Sequence, residues 1–138
     1  MPKSPFKSIY LERTICEGDC PAYKVKINAK GLVKMTEKIL FDHTPDDQEW
    51  TINQKAMDKL NEIIQKYGYF TLKKNLENNY YWTDHPHCIT KIELQDGTKR
   101  KIEHYLGDHV YPKKLITIEN WIDKLIDVNT YLTNKVHN

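Results

Sequence analysis

Two short segments that end in glycine, Ala29-Lys30-Gly31 and Gln95-Asp96-Gly97, constrain this chain more than any other feature. Each lies between stretches in which apolar and polar residues alternate, the pattern of a half-buried strand. A three-residue hairpin loop needs a left-handed residue at its end, and glycine takes that conformation without a steric penalty. With Gly31 in that place, Ile27 faces Val33 and Val25 faces Met35, while Lys24, Lys26 and Lys34 fall on the other side. With Gly97 in that place, Leu94 faces Thr98, Ile92 faces Arg100, Thr90 faces Ile102 and Cys88 faces His104, and Glu93 pairs with Lys99 outside. A slip of one residue would turn each apolar set into water, so both registers are well specified.

A helical pattern follows each hairpin. Thr51 and Gln54 have the spacing of a capping box. Ala56, Leu60, Ile63, Ile64 and Tyr67 then recur at helical spacing, and Gly68 is a stop. The second pattern begins near Pro112, an acceptable first-turn residue, runs through Leu115, Ile118, Trp121, Ile122 and Leu125, and ends near Asn129. Ser8 to Ile15 reads as a further strand with Ile9, Leu11, Arg13 and Ile15 on one face, preceded by a short frayed arm. Leu40 to Trp50 and Leu72 to Pro86 read as long loops. The order β-ββα-ββα predicts a single α+β domain over residues 1–138, with an ordered core over about 8–132. Its architecture is a two-layer sandwich, with an antiparallel sheet of about five strands and both helices on one face. Strand order stays open.

Composition narrows the function classes. Twenty-one basic and 19 acidic side chains leave a net charge of +2, too little for a protein that grips a long phosphate backbone. Three cysteines do not make a disulfide framework. No apolar run approaches the roughly 20 residues of a membrane helix, and no export signal is recognisable, so a cytoplasmic location is expected. No P-loop, G-x-G-x-x-G, G-x-S-x-G or H-E-x-x-H motif is present.

Arg13, Cys16, Gly18, Cys20, Pro21 and Tyr23 spell R-x-x-C-x-G-x-C-P-x-Y. Together with the Gly31 hairpin, Thr83-Asp84 and the Pro112 helix, this resembles an uncharacterised bacterial domain family of unknown function, over about Ile9 to Leu132. The resemblance implies a fold and no activity. Relatives are often exported or lipid-anchored, a setting in which the two cysteines can be oxidised.

Cys16 and Cys20 are three residues apart, unlike the two of a redox C-x-x-C pair. A structural turn, a disulfide and a zinc site all remain open, and zinc would draw its other ligands from His85, His87, Cys88, His104 and His109. Arg13 lies on an apolar face and needs a partner, for which Asp84 is the candidate; its functional alternative is an anion-binding fork. His85 and His87 share a strand face, and with His104 they are the candidate acid–base groups. Arg13, Asp84, Tyr105 and His109 are the candidate ligand-binding residues, on a rim formed by Cys16–Pro21, Tyr80–His87 and Tyr105–Tyr111.

The leading functional expectation is a non-catalytic interaction or small-ligand-binding domain for a protein or a small anionic ligand. It needs no cofactor and no membrane. Nucleic acid ranks below these partners. The runner-up is a small hydrolase acting on a phosphodiester or nucleotide, with Arg13 or Arg100 holding phosphate. A zinc-stabilised domain is the third reading.

Overall fold

The computed structural model describes residues 5–13, 22–38, 47–73, 87–105 and 112–128. The strands are β1 (Phe6–Arg13), β2 (Ala22–Asn28), β3 (Leu32–Lys38), β4 (Asp47–Thr51), β5 (His87–Leu94) and β6 (Lys99–Tyr105). Helix α1 (Gln54–Lys66) and a 3-10 turn (Tyr69–Thr71) separate β4 from β5, and α2 (Lys113–Ile126) follows β6. The strands form one six-stranded antiparallel sheet in the order β4-β3-β2-β1-β5-β6. The fold is thus the expected α+β sandwich, with six strands rather than five.

Both hairpins have the register their sequences specify. Ile27 pairs with Val33 and Val25 with Met35; Ile92 pairs with Arg100, Thr90 with Ile102 and Cys88 with His104. Gly31 and Gly97 both adopt positive φ, at 87° and 94°. Gly31 is held more tightly, because its carbonyl accepts from the Ile52 amide at 2.9 Å and a Cβ there would meet the Ile52 carbonyl.

β1 joins the two hairpins by pairing with β2 on one side and β5 on the other. Its ladder shifts register between Phe6 and Ser8, a bulge that turns Phe6 to the buried side opposite Leu94. The Phe6 amide donates to Asn61 on α1, and the Pro5 carbonyl accepts from Gln95. The segment expected to fray is therefore strand from Phe6 onward, and Ile15, the expected end of this strand, lies outside the described residues.

The other corrections concern element ends. Part of the expected Leu40–Trp50 loop is β4, paired with β3 through Val33 and Trp50. Thr51 still pairs with Leu32 in the ladder, so it cannot cap α1. Asn53 is the cap, and its side chain accepts from the Ala56 amide at 2.9 Å. Pro112 stands one step outside α2 as its N-cap, and Asp127 closes the helix in left-handed conformation.

The core lies between the helices and one sheet face. Ile9, Leu11, Val25, Ile27, Ile92 and Ile102 meet Leu60, Ile64, Leu115, Ile118 and Ile122 there, all nearly free of solvent. Trp50 donates its indole N–H to the Ile126 carbonyl at 2.9 Å, tying β4 to the end of α2. Among the described residues no helix is long and apolar enough to cross a membrane.

Candidate functional site

Cross-strand pairing lines up four residues near one end of the buried face. Arg13 stands opposite Tyr23 on β2 and opposite Cys88 on β5, and Cys88 stands opposite His104 on β6. The next row inward is Val25, Leu11, Thr90 and Ile102, so the polar row borders the apolar core directly. Helix α2 covers the row with Glu119, Asn120 and Asp123. Each α2 carboxylate takes one end of it.

Asp123 serves Arg13 and Tyr23. Arg13 donates from Nε at 2.9 Å and from Nη2 at 2.7 Å to the same oxygen, Oδ2. The Tyr23 hydroxyl accepts from Arg13 Nε at 3.0 Å and donates to Asp123 Oδ1. Asn120 Oδ1 lies 3.5 Å from Arg13 Nη2. Burial, the largest single influence, opposes the guanidinium's charge, but Asp123 together with the neighbouring Cys88 and Tyr23 outweighs it, and Arg13 is held more firmly protonated than usual. Burial, reinforced by Asp123, also pushes the Tyr23 phenol up, so it remains a donor. The expected partner of Arg13, Asp84, lies outside the described residues. The observed one is on the last helix.

Glu119 serves the other end. His104 Nε2 lies 2.6 Å from Glu119 Oε2, both side chains almost fully buried. Cys88 is a free thiol with no exposure. Burial first, then the neighbouring Glu119 carboxylate, raises its pKa, so the sulfur stays a thiol instead of a nucleophilic thiolate. Donor atoms of Cys88, His104 and Glu119 all lie within 4.8 Å of one another.

Of the other residues singled out in the sequence, Cys16, Cys20, His85 and His109 lie outside the described residues. His87 and Tyr105 are described by backbone alone, as a cross-strand pair beside Cys88 and His104. Arg100 is occupied structurally: its Nη1 donates to the Tyr69 carbonyl at 2.9 Å, while the Tyr69 hydroxyl contacts Thr90 Oγ1 at 2.8 Å. Sequence reasoning missed Glu119 and Asp123. Their signal was positional, since Glu119 lies four residues after Leu115 and Asp123 four after Glu119, along the edge of the apolar stripe.

The opposite face of the sheet carries no helix among the described residues. Across its middle run Glu49, Lys34, Lys26, Tyr10, Lys91 and Lys101, one from each strand, in direct register. Lys34 leans toward Glu49 at 3.9 Å, and Lys91 Nζ lies 5.0 Å from the Tyr10 ring centre. Lys26, Tyr10, Lys91 and Lys101 line an open hollow of about 420 Å³, with Ser8 and Lys99 at its side. Glu93 also reaches it.

These features define a small α+β domain with a helix-covered face locked by the Arg13–Asp123 ion pair and the His104–Glu119 contact, and an open face rich in lysine. Residues 7–126, most of the chain, match the family described as Domain of unknown function (DUF6438), and the chain belongs to that family. No curated protein matches it.

Proposed function

We propose that this is a non-catalytic binding domain that receives a small anionic ligand in the lysine-lined hollow of its open sheet face. One observation carries the reading. Lys26 stands directly opposite Lys34, and Lys91 directly opposite Lys101. Like charges in such cross-strand pairs destabilise a sheet by about 0.2–1 kcal/mol each. Here lysines flank Tyr10 on both sides, a local conflict of the kind that folds tolerate at functional sites. A bound anion would neutralise the repulsion, and the Tyr10 ring offers an apolar platform. The hollow falls within the roughly 300–1,000 Å³ usual for small-molecule sites. The modest net charge fits a compact anion better than a long nucleic acid.

The hydrolase reading has less support. Arg13 is engaged with Asp123, Arg100 with Tyr69, and His104 is buried against Glu119. A hydrolytic site needs such groups free to reach a substrate.

Calorimetric titration with inorganic tripolyphosphate and with adenosine triphosphate tests the proposal. The expected result is saturable binding that weakens with salt and falls at least tenfold on combining Lys26→Glu with Lys101→Glu. Absence of binding by either probe, or binding indifferent to those substitutions, contradicts it. Release of phosphate that His104→Gln abolishes would establish the hydrolase instead.

A further inference from the structure

We infer that Cys88, His104 and Glu119 form a buried site for a divalent ion of borderline softness, with Zn²⁺ the best fit. Sulfur, imidazole nitrogen and carboxylate oxygen from β5, β6 and α2 converge within 4.8 Å of one another. That donor set belongs to zinc, which accepts all three atom types, and not to magnesium or calcium, which take oxygen.

An orphaned atom is the second observation. Glu119 is 1% exposed, and its Oε1 has no hydrogen-bond partner among the described residues. A buried carboxylate oxygen left unsatisfied is costly and calls for an explanation. With both carboxylate oxygens bound, thiolate and imidazole complete four donors, the usual number around zinc.

Charge agrees, and size asks for a modest shift. Donors from different residues, about 2.0–2.3 Å from a near-tetrahedral ion, lie about 3.3–3.8 Å apart, while the two oxygens of one chelating carboxylate lie closer and distort the tetrahedron. His104 Nε2 and Glu119 Oε2, now 2.6 Å apart, would need to separate by roughly an ångström. One thiolate, one carboxylate and a neutral imidazole cancel the two charges of the ion, as a site without water requires. Arg13 and Asp123, next along the row, already neutralise each other. Binding replaces the S–H bond of Cys88 by an S–Zn bond, and the proton leaves to solvent.

None of its three ligands lines the open-face hollow, and the proposal does not draw on Cys16 or Cys20. The test uses the full chain, stripped with chelator and titrated with Co²⁺ as a spectroscopic stand-in for zinc. One Co²⁺ per chain and a thiolate-to-cobalt charge-transfer band are expected. The band should persist in the double variant Cys16→Ser/Cys20→Ser, vanish in Cys88→Ser, and need at least tenfold more metal in Glu119→Gln. No band in the unaltered chain at saturating Co²⁺, or loss of the band in the Cys16→Ser/Cys20→Ser variant, overturns the inference. These two readings need neither the Cys88 nor the Glu119 variant to fold.

Discussion

Arg13 and Asp123 join the first strand to the last helix across 110 residues of sequence, with Nη2 and Oδ2 2.7 Å apart. Their side chains are 15% and 22% exposed, so the pair is mostly withdrawn from water. Removing one partner leaves the other charge stranded, whereas replacing both with apolar residues removes the cost of desolvation as well. Asp123→Ala should therefore lower stability by about 3 kcal/mol, and Arg13→Met/Asp123→Leu should recover most of that loss. Urea unfolding measures both. Equal losses in the single and double variants would mean that the pair itself, and not the stranded charge, is what matters.

Alkaline pH should weaken the fold. Burial, the main cause, holds the Cys88 thiol and the Tyr23 and Tyr69 phenols above their ordinary values of 9.0 and 10.0. Below about pH 9 the folded and unfolded chains both keep these protons, and the groups contribute fully. Above it the unfolded chain loses protons that the native state retains, so stability falls as pH rises. The slope should reach about 1.4 kcal/mol per pH unit for each group, starting with the thiol and steepening with the phenols. Unfolding free energies of the chelator-stripped, metal-free chain up to about pH 11 check this. Cys88→Ala should delete the first limb alone, while a flat profile would contradict the account.

The two hairpin glycines should differ in their tolerance of alanine. Both have positive φ, which costs a non-glycine residue about 1–2 kcal/mol. A Cβ at Gly97 meets nothing within 4 Å, but at Gly31 it comes within 2.9 Å of the Ile52 carbonyl. Gly31→Ala should therefore be clearly the more damaging in thermal unfolding. Equal effects would mean that the Ile52 backbone shifts freely.

The cap of α1 should be Asn53 in solution as well. Asn53→Ala removes the bond to the Ala56 amide and should cost about 1 kcal/mol. Thr51→Ala should cost much less, because Thr51 is an exposed residue at the end of β4. The reverse order in denaturant titration would restore the capping box expected from sequence.

The hairpin registers were legible because everything that sets them is local: a glycine, a loop length and a two-residue alternation. The bulge that buries Phe6 breaks that alternation, so β1 looked shorter at its start than it is. β4 hid in a segment of mixed composition, since it lies at the sheet edge and Gln48 to Thr51 are exposed or half-buried. The helix stripes were readable, but Glu119 and Asp123 were not, because their burial depends on what the sheet places beneath them. For the same reason Arg13 was recognisable as a residue in need of a partner while the partner was not. The lysine row became visible only once strand order had brought Lys26, Tyr10, Lys91 and Lys101 side by side.

The most direct test of the claim that the open face binds the ligand is a map of amide chemical-shift changes on titrating the isotope-labelled chain with tripolyphosphate. Saturable changes centred on Tyr10, Lys26, Lys91 and Lys101 are expected, with Arg13, His104 and Glu119 unmoved. Changes centred on the buried row instead, or none anywhere at saturating ligand, would contradict it.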